Sequence, residues 1–383
     1  MNIKRVDAIQ PFHVMALLAR ARELESQGQS IIHMEIGEPD FVSPQPIIQA
    51  GIRALEQGKT HYTPAAGLPE LRHQITDYYR RRFSVSIHPD QILITPGASG
   101  ALQLALSALI EPGDKVMLAD PGYPCNRNLV LLAGGEPVII NCGPETGYQL
   151  TPESIRENWQ AGCRAVILPT PSNPTGACLS VEEISAINAV VQAQGGTLIV
   201  DEIYQGLTYD SPSSTALECS NRIIVVNSFS KYFGMTGWRL GWLVAPMSHV
   251  ADMDKIAQNL FLTASTPAQY AALAAFSEET HDILEARRDI FRQRRDYLMP
   301  VLQEVGFEFA IRPGGAFYLY ANCQRLTDNS FVYCQQLLEE VGVAITPGID
   351  FGCNKAAQHV RFAYTVSLEK LQEGVRRISA FSA

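Results

Sequence analysis

The stretch RIIVVNSFSKYFGMTGWRLGWLVA, residues 222–245, contains two short apolar runs and, between them, a segment with a single lysine, Lys231. The runs at 222–227 and 240–245 have the length and the Val, Ile and Leu content of strands buried on both faces of a sheet. The segment between them is unsuited to a solvated helix, because its glycines weaken a helix and its aromatic residues would make the surface apolar. The pattern predicts a buried strand that leads to a lysine in partly apolar surroundings.

Two interpretations of Lys231 follow from this setting. Most lysines lie on solvated faces, and that is the common interpretation of any single one. An amine in an apolar, partly closed site instead loses solvation, so its pKa falls and it becomes a nucleophile able to form a Schiff base. The segment alone leaves both interpretations open.

Elsewhere in the chain, similar apolar runs alternate with helical patterns. Each run has about the length of a strand, and the alternation is typical of an α/β domain with a mostly parallel mixed sheet flanked by helices. The predicted strands are 91–95, 115–120, 137–141, 165–170, 197–201, 222–227 and 240–245. The predicted helices are 13–28, 99–111, 123–133, 180–194, 250–260 and 281–306.

A second, smaller α+β domain is predicted from the two ends of the chain. A long charged helical pattern at 281–306 marks a change in character, and short strands and a final helix follow it. We expect 1–44 to form an N-terminal arm and part of the small domain, 45–277 to form a large cofactor-binding domain, and 278–383 to form the C-terminal small domain. A length of 383 residues suits about two domains.

Composition excludes several classes of protein. A net charge of −9 and a pI of about 5.4 argue against a nucleic-acid partner. No apolar run approaches the length of a membrane span, and the N-terminus does not resemble a secretory signal. The eight cysteines lack CxxC pairs and metal-like spacing, which is typical of thiols in a reducing compartment. We expect a soluble cytoplasmic protein with no membrane partner and no metal.

Polar residues follow the ends of several predicted strands. In open α/β sheets, ligands bind beyond the carboxyl ends of the strands, so these residues are expected to meet in one pocket with Lys231. The segments are PGASG at 96–100, PSNPTG at 171–176, DEIYQG at 201–206 and SFSKYFG at 228–234.

The segment TPGASGALQLAL at 95–106 has the pattern of a strand end, a glycine-serine turn and a helix. A helix N-terminus offers free backbone N–H groups and a positive dipole, so it binds phosphate readily. The segment matches neither of the usual nucleotide-binding motifs. A plain helix cap by Ser99 is the alternative interpretation.

Three further side chains each have a functional and a plain interpretation. The segment around Asn173 is a turn by composition, but this asparagine could also present its amide to a ligand. Asp201 could hold a protonated ring nitrogen or a cation, although no other residue has the spacing of a further metal ligand. Arg361, in an alternating strand pattern, could grip a carboxylate with its planar guanidinium or could be an exposed strand arginine.

Together these groups match the requirements of pyridoxal 5'-phosphate. The aldehyde of this cofactor condenses with a lysine, its ring nitrogen requires an acidic partner, and its phosphate requires a helix terminus and an arginine. A second arginine would bind the carboxylate of an amino acid, and aromatic faces would hold the ring.

The motifs, in their order along nearly the whole chain, resemble the class I aminotransferases of the aspartate aminotransferase type. This resemblance implies fold type I of the pyridoxal-phosphate enzymes. Its most specific part is the pattern SxSKxxxMxGxRxG. The motifs are GEPDF at 37–41, YTPAAGLPELR at 62–72, DPGYPCN at 120–126, PSNPTG at 171–176, DEIY at 201–204, SFSKYFGMTGWRLGW at 228–242 and VRFAY at 360–364.

The resemblance implies a role for each matching residue around the cofactor ring. Lys231 would form the Schiff base, the internal aldimine, and then move the proton between substrate Cα and the cofactor. Asp201 would pair with the ring nitrogen. Asn173 and Tyr204 would donate hydrogen bonds to the phenolic oxygen and thereby lower the pKa of the imine. Tyr123 would stack on the ring, and the catalytic set would be Lys231, Asp201 and Tyr204.

The resemblance also implies how the phosphate is held. Ser228 and Arg239, together with Ala98 and Ser99 at the helix start, would bind it, and Ser230 is a further candidate. These residues are expected at the same end of the predicted sheet as Lys231.

Substrate binding is implied by three further positions. Arg361 would bind the α-carboxylate, Gly37 would approach through its backbone, and Asn173 would contact the substrate as well as the cofactor. Tyr62 would reach the phosphate of a neighbouring subunit, which implies a homodimer with active sites shared across the interface.

Two departures from well-known members leave the substrate open. Asn126 stands where some aspartate aminotransferases carry a histidine behind the ring-binding acid, and it could still hydrogen-bond Asp201. The segment at 261–273 offers no counterpart to the partner-chain arginine that selects a second carboxylate. Alanine-type, aromatic and broad specificity therefore remain possible. The first thirty residues and the C-terminal tail are expected to line the side-chain pocket.

The leading hypothesis is a transaminase that moves the amino group of an α-amino acid to a 2-oxo acid by a ping-pong mechanism. The nearest alternative is a carbon–sulfur β-lyase or a related pyridoxal-phosphate enzyme of the same fold, which would release ammonia and pyruvate without an acceptor. A ligand-sensing regulator usually carries a DNA-binding module, which this acidic chain does not suggest. An α/β protein without the cofactor is the plainest alternative.

Overall fold

The computed structural model describes residues 4–9 and 11–382. Its α-helices are α1 Lys4–Asp7, α2 His13–Ser26, α3 Gln45–Glu56, α4 Pro69–Phe83, α5 Gly97–Leu109, α6 Pro124–Leu132, α7 Pro152–Asn158, α8 Val181–Ala193, α9 Met247–Leu260, α10 Thr266–Leu273, α11 Glu278–Val305, α12 Ser330–Val341 and α13 Leu368–Ser382. Its strands are β1 Ile32–His33, β2 Ile92–Thr95, β3 Lys115–Asp120, β4 Glu136–Asn141, β5 Cys163–Pro169, β6 Thr197–Asp201, β7 Ile224–Ser228, β8 Gly241–Val244, β9 Tyr318–Asn322, β10 Val343–Ala344, β11 Thr346–Pro347 and β12 His359–Ala363.

A seven-stranded mixed sheet forms the centre of the molecule, in the order β2-β8-β7-β6-β5-β3-β4. The strands run parallel except β8, which is antiparallel to both of its neighbours. Each of the seven apolar runs becomes one of these strands, so the predicted α/β fold is confirmed. The antiparallel strand brings its amino end to the edge where the other strands have their carboxyl ends.

The sheet is buried on both faces because helices cover each side. Along β6, Leu198 and Val200 pack into one hydrophobic cluster, whereas Ile199 packs into the cluster on the opposite face. All three side chains are fully buried, and burial of each contributes about 1.5–3 kcal/mol. This two-sided burial explains why the strand appears in the sequence as a continuous apolar run rather than an alternating one.

Smaller sheets join the two ends of the chain. The N-terminal strand β1 pairs in parallel with β10, and an antiparallel sheet has the order β11-β12-β9. In the sequence, the long helix α11 lies between the strands of the large sheet and strands β9 to β12. The strand pairing agrees with a small α+β unit built from both ends, while the boundaries after residues 44 and 277 stay a prediction.

Within the described ranges, no helix combines the length and the apolar character needed to cross a membrane. The same residues contain no cluster of three histidine, cysteine or carboxylate side chains that could hold a metal ion. The eight cysteines are free, and Cys353 is the exposed one.

Candidate active site

A cavity of about 330 Å³ lies at the carboxyl edge of the large sheet, where the small sheet meets it. Twelve of the thirteen residues singled out from the sequence line it. They are Gly37, Ala98, Ser99, Tyr123, Asn173, Asp201, Tyr204, Ser228, Ser230, Lys231, Arg239 and Arg361. The thirteenth, Tyr62, lies outside this cavity, and its side chain is 80% exposed.

Lys231 follows strand β7 directly and points into the cavity. Its Nζ donates a hydrogen bond to the backbone oxygen of Gly37 at 2.7 Å and lies 5.8 Å from the centre of the Phe317 ring. Burial lowers the pKa of the amine to about 8, and nearby arginines add to this effect against the opposing charge of Glu38. A lowered pKa increases the neutral fraction of the amine, which suits a nucleophile. Because the side chain lies in the cavity, the surface interpretation of this lysine is wrong.

Asp201 ends strand β6 and is buried beside the cavity. Among the described residues, its carboxylate accepts one hydrogen bond, from the backbone N–H of Ile203 at 3.1 Å. Burial raises the pKa of this carboxyl to about 6. A buried carboxylate with so few donors is suited to pair with a cationic group brought by a ligand.

Helix α5 begins at the cavity with an uncapped N-terminus. Its cap residue is Pro96, which has no side-chain hydrogen bond to the helix, and Ser99 lies inside the first turn. The interpretation of Ser99 as a plain cap is therefore wrong, and the first N–H groups of the helix remain available for an anion.

Arg239 reaches this helix start because two glycines make room. A Cβ on Gly97 would lie 2.8 Å from Nη2 of Arg239, and a Cβ on Gly241 would lie 2.7 Å from the backbone of Gly97. Gly97 also has a φ of +74°, which favours glycine. A guanidinium and a helix N-terminus side by side form a site for a phosphate group.

Arg361 is buried in strand β12, with 4% of its surface exposed, so its interpretation as an exposed strand arginine is wrong. Its Nη1 donates to the side-chain oxygen of Asn173 at 2.9 Å, and its Nη2 donates to the backbone oxygen of Glu35. The guanidinium also lies 4.2 Å from the ring centre of Tyr318. Its Nε is buried without a partner among the described residues, which leaves a donor for a bound carboxylate.

Aromatic side chains surround the remaining part of the cavity. The Tyr204 hydroxyl is 2.9 Å from the Tyr318 hydroxyl, and burial raises the pKa of both phenols. The Tyr123 ring stacks on Phe12, with centroids 6.2 Å apart and planes 10° from parallel. These rings could hold a flat ligand and donate hydrogen bonds to its oxygen atoms.

Ser228 lies at the end of β7 and is buried with the following turn. Its hydroxyl accepts the backbone N–H of Ser230 at 3.0 Å and donates to the backbone oxygen of Leu240 at 3.3 Å. These bonds tie the lysine segment to the start of β8 and place both serines on the cavity wall.

One expectation about this region is wrong. Asn126 makes no hydrogen bond to Asp201, and its Oδ1 is buried without a partner among the described residues. Cys125 and Ile203 line the cavity with Asp201, and the backbone N–H of Ile203 donates to its carboxylate.

Several lining residues were not identified individually from the sequence. Tyr318 lies on strand β9, whose continuous run YLYA is buried, and that apolar run could have indicated a buried tyrosine. Asp350 ends a single-turn helix and Phe351 follows it, and no motif marks either residue. Phe12 lies within the first thirty residues, which were expected to line the pocket, but nothing in its local sequence singles it out.

The comparisons with known proteins cover nearly the whole chain. Residues 29–378 match the family described as Aminotransferase class I and II. The chain is 38% identical to the (5-formylfuran-3-yl)methyl phosphate transaminase of Methanocaldococcus jannaschii, over 100% of this chain and 99% of that protein. It is 36% identical to the valine–pyruvate aminotransferase of Mycobacterium tuberculosis, over 97% and 96% respectively. A crystal structure of an aminotransferase from Mycobacterium tuberculosis superimposes with a TM-score of 0.96 at 36% identity, covering 100% of this chain and 99% of that one.

Proposed function

Because the chain belongs to the class I and II aminotransferases, we propose that the cavity residues described above carry out both halves of a transamination. The protein is an enzyme that transfers the amino group of an α-amino acid to a 2-oxo acid with pyridoxal 5'-phosphate as cofactor. The transaminase relatives support transfer rather than lyase chemistry. The observation that carries the assignment of roles is the convergence of Lys231, Asp201 and Arg361 in one cavity.

The residues present fit the cofactor. The uncapped start of α5 and Arg239 would hold the phosphate, with help from Ser228 and Ser230. Asp201, which has one backbone donor, would pair with the ring nitrogen. When bound, pyridoxal phosphate supplies a carbonyl carbon that takes up the amino group and a ring that accepts electrons from the substrate.

Tyr204, Asn173 and Tyr123 would orient the ring. The Asn173 oxygen is used by Arg361, which leaves its NH₂ group to donate to the phenolic oxygen of the cofactor. Tyr204 would donate to the same oxygen, and Tyr123 would cover one face. Asn173 thus links the cofactor to the arginine that binds substrate.

Lys231 would hold and move the proton at the substrate Cα. Its amine is held by the Gly37 carbonyl and has a pKa of about 8, so it can accept and return a proton near neutral pH. Arg361, fixed by Asn173, Glu35 and the surrounding rings, would hold the substrate carboxylate and so set which Cα bond faces the amine.

The experiment that tests these roles is a visible absorption spectrum of the purified protein with pyridoxal phosphate. Addition of an amino acid without any oxo acid should convert the yellow band to the pyridoxamine form, and a 2-oxo acid should restore it. The Lys231→Ala variant is the control and should lack the original band. Release of ammonia and pyruvate without an acceptor would instead support the lyase alternative, and no band at all would refute the proposed site.

A homodimer with shared active sites is part of the proposal. Tyr62 is a large aromatic residue that is 80% exposed and lies outside the cavity of its own chain, as a residue that serves a neighbouring subunit would. Mixing Tyr62→Ala chains with Lys231→Ala chains tests this arrangement at limiting cofactor. A mixed dimer would contain one site with both native residues, so activity should recover, and no recovery would refute the shared site.

A cytoplasmic location is the remaining part of the proposal. It is supported by the eight free cysteines, which a reducing compartment keeps as thiols. Fractionation of cells that express the chain tests it, and enrichment in an oxidising compartment would contradict it.

A further inference from the structure

The cations of the cavity are few, and each has a role in the proposed function. Within the described part of the chain, the cationic side chains that line the cavity are Lys231, Arg239 and Arg361. The first reacts, the second lies at the phosphate site and the third binds the α-carboxylate. Among the described lining residues of this chain, no further cation remains for a second carboxylate on the substrate side chain. The lining also includes carboxylates, among them Glu38, whose negative charge raises the pKa of Lys231. These carboxylates would repel an acidic side chain of the substrate.

Besides the carboxylates of Glu35, Glu38 and Asp350, the substrate side of the cavity is lined mainly by apolar side chains. We define the apolar wall as Phe12, Val14, Met15, Ile36 and Phe351, all of which line the cavity. The ring centre of Phe351 lies 4.7 Å from the guanidinium carbon of Arg361. The apolar wall therefore begins beside the arginine that would hold the substrate. Burial of a carboxylate against such a wall without a partner is costly, whereas burial of an alkyl or aryl group is favourable.

A carboxylate from the far end of the chain holds this wall in place. Helix α2 starts at His13 without a side-chain cap from its own residues. Asp350 supplies the missing acceptor, because its Oδ1 accepts the backbone N–H of His13 at 2.7 Å. The cap also complements the positive end of the helix dipole. Through this bond, Asp350 holds the start of α2, next to Phe12, close to Phe351, which follows Asp350 in the sequence.

We propose that the apolar wall selects an amino donor with an apolar side chain, and that Asp350 is a positioning residue for this wall. The inference rests on the proposed function, since it concerns the substrate of the same site. It predicts that leucine, methionine and phenylalanine react well, that alanine reacts less well, and that aspartate and glutamate react poorly.

The first test measures single-turnover conversion of the cofactor band in the holoenzyme with each of these amino acids. Leucine should exceed aspartate by at least about 100-fold in its second-order rate constant, because the wall offers the second carboxylate no partner. Binding of two unreactive acids, 4-methylpentanoate and glutarate, is measured in parallel by calorimetry. The monocarboxylate should bind more tightly.

The outcomes of this test separate the two claims. Faster conversion by aspartate or glutamate, or tighter binding of glutarate, would overturn the inference while the transaminase function stands. No conversion by any amino acid would count against the proposed function, and the calorimetry would still decide the nature of the wall.

Variants at the wall sharpen the test. Met15 is 53% exposed, so Met15→Arg should fold and would add a cation at the mouth of the cavity. It should raise the ratio of aspartate to leucine rates by about 10-fold or more. The matched control is Leu132→Arg, which introduces the same residue at an exposed position of α6 away from the cavity. An equal change in both variants, or no change in Met15→Arg, would overturn the inference.

The role of Asp350 has its own readout. Asp350→Ala removes the acceptor for the start of α2, so the rate with leucine should fall more than the rate with alanine, and the preference for leucine should drop about 10-fold. Asp350→Asn keeps an acceptor oxygen and should restore the preference. A uniform loss with both amino acids, or no difference between the two variants, would show that Asp350 does not position the wall.

Discussion

The cavity has two sides that the chain builds in different ways. On the cofactor side, the candidate functional residues lie at the carboxyl ends of strands in one sheet or a few positions after them. We call this region the sheet edge, and its residues are Ser99, Tyr123, Asn173, Asp201, Tyr204 and Lys231. On the substrate side, the apolar wall comes from segments separated by more than three hundred residues, which Asp350 joins. The sheet edge is held by the backbone of a fully buried sheet, whereas the wall is held by side-chain contacts.

This difference indicates how the two sides can change. The position of a sheet-edge residue is set by a ladder of backbone hydrogen bonds and by buried strands such as β6 and β7, so it is insensitive to single surface changes. The wall depends on a few packed side chains and one cap. Changes at the edge should therefore affect every amino acid equally, and changes at the wall should affect the choice among them.

The strongest test of the sheet edge is Lys231. Lys231→Ala and Lys231→Arg should each lower kcat by at least about 10⁴-fold with every donor, because neither side chain supplies a neutral amine. Steady-state assays with leucine and alanine, supported by circular dichroism of the folded variants, measure this loss. If one donor retained activity, the amine of Lys231 would not be required for the reaction of every donor.

A smaller loss is expected at Asp201. Asp201→Asn removes the buried charge that would face the ring nitrogen and should lower kcat by about 10²–10³-fold, equally for both donors. The surface variant Asp254→Asn, on helix α9, is the control and should retain full activity. A loss of kcat with only one donor would show that Asp201 affects the choice of substrate, as a residue of the apolar wall would, and not the step common to all donors.

Arg361 lies between the two sides, since it contacts both Asn173 and Phe351. Arg361→Lys cannot grip a carboxylate bidentately and should lower kcat/KM by about 10²-fold, mainly through KM, for all donors. Initial-rate measurements over a range of donor concentrations check this. An effect on kcat alone would contradict a role in substrate binding.

The phosphate end of the edge can be tested at Gly97. Gly97→Ala should weaken pyridoxal-phosphate binding by about 10-fold, because the added Cβ would displace Arg239 from the helix start. Gly113→Ala is a matched control, since Gly113 also has a positive φ but has no atom within 4 Å of the added Cβ. Titration of each variant with the cofactor, followed by fluorescence, measures the two affinities. If both variants bound the cofactor equally weakly, the effect would come from backbone strain alone and not from the displacement of Arg239.

The smallest expected effect is on the pH dependence of the free energy of unfolding, through Glu202, the residue after Asp201. Burial raises the pKa of Glu202 to about 8 from an ordinary 4.5, although Ala216 and Thr215 donate hydrogen bonds to its carboxylate. The folded state therefore binds more protons than the unfolded state between these values, so the free energy of unfolding falls as pH rises from about 5 to 8. Glu202→Gln should remove part of this slope, at most about 1.4 kcal/mol per pH unit.

Urea unfolding of the wild type and of Glu202→Gln at several pH values measures the difference. Glu157→Gln, at an exposed position of α7, serves as the control and should keep the wild-type slope. Identical slopes in all three proteins would show that Glu202 does not titrate in this range.

The sheet edge was largely predictable because position and chemistry occur in the same short segments. An apolar run marks a buried strand, and the residues after it carry the reactive groups, as at Asp201 and Lys231. Local pattern does not determine surroundings, however. It left two interpretations of Ser99 open, because it does not show that the helix begins at Gly97. It also allowed a bond from Asn126 to Asp201, whereas Asn126 is buried beside the edge without that bond.

The sequence by itself determined the mostly parallel α/β sheet, the order of its strands in the chain and the candidate residues for binding pyridoxal phosphate, because periodicity and residue chemistry are local properties. Only the tertiary structure decided that Arg361 is buried against Asn173, that Tyr318 meets Tyr204, and that Asp350 caps a helix at the opposite end of the chain. Those contacts join residues far apart in sequence, and their energies depend on burial and packing that no single segment encodes.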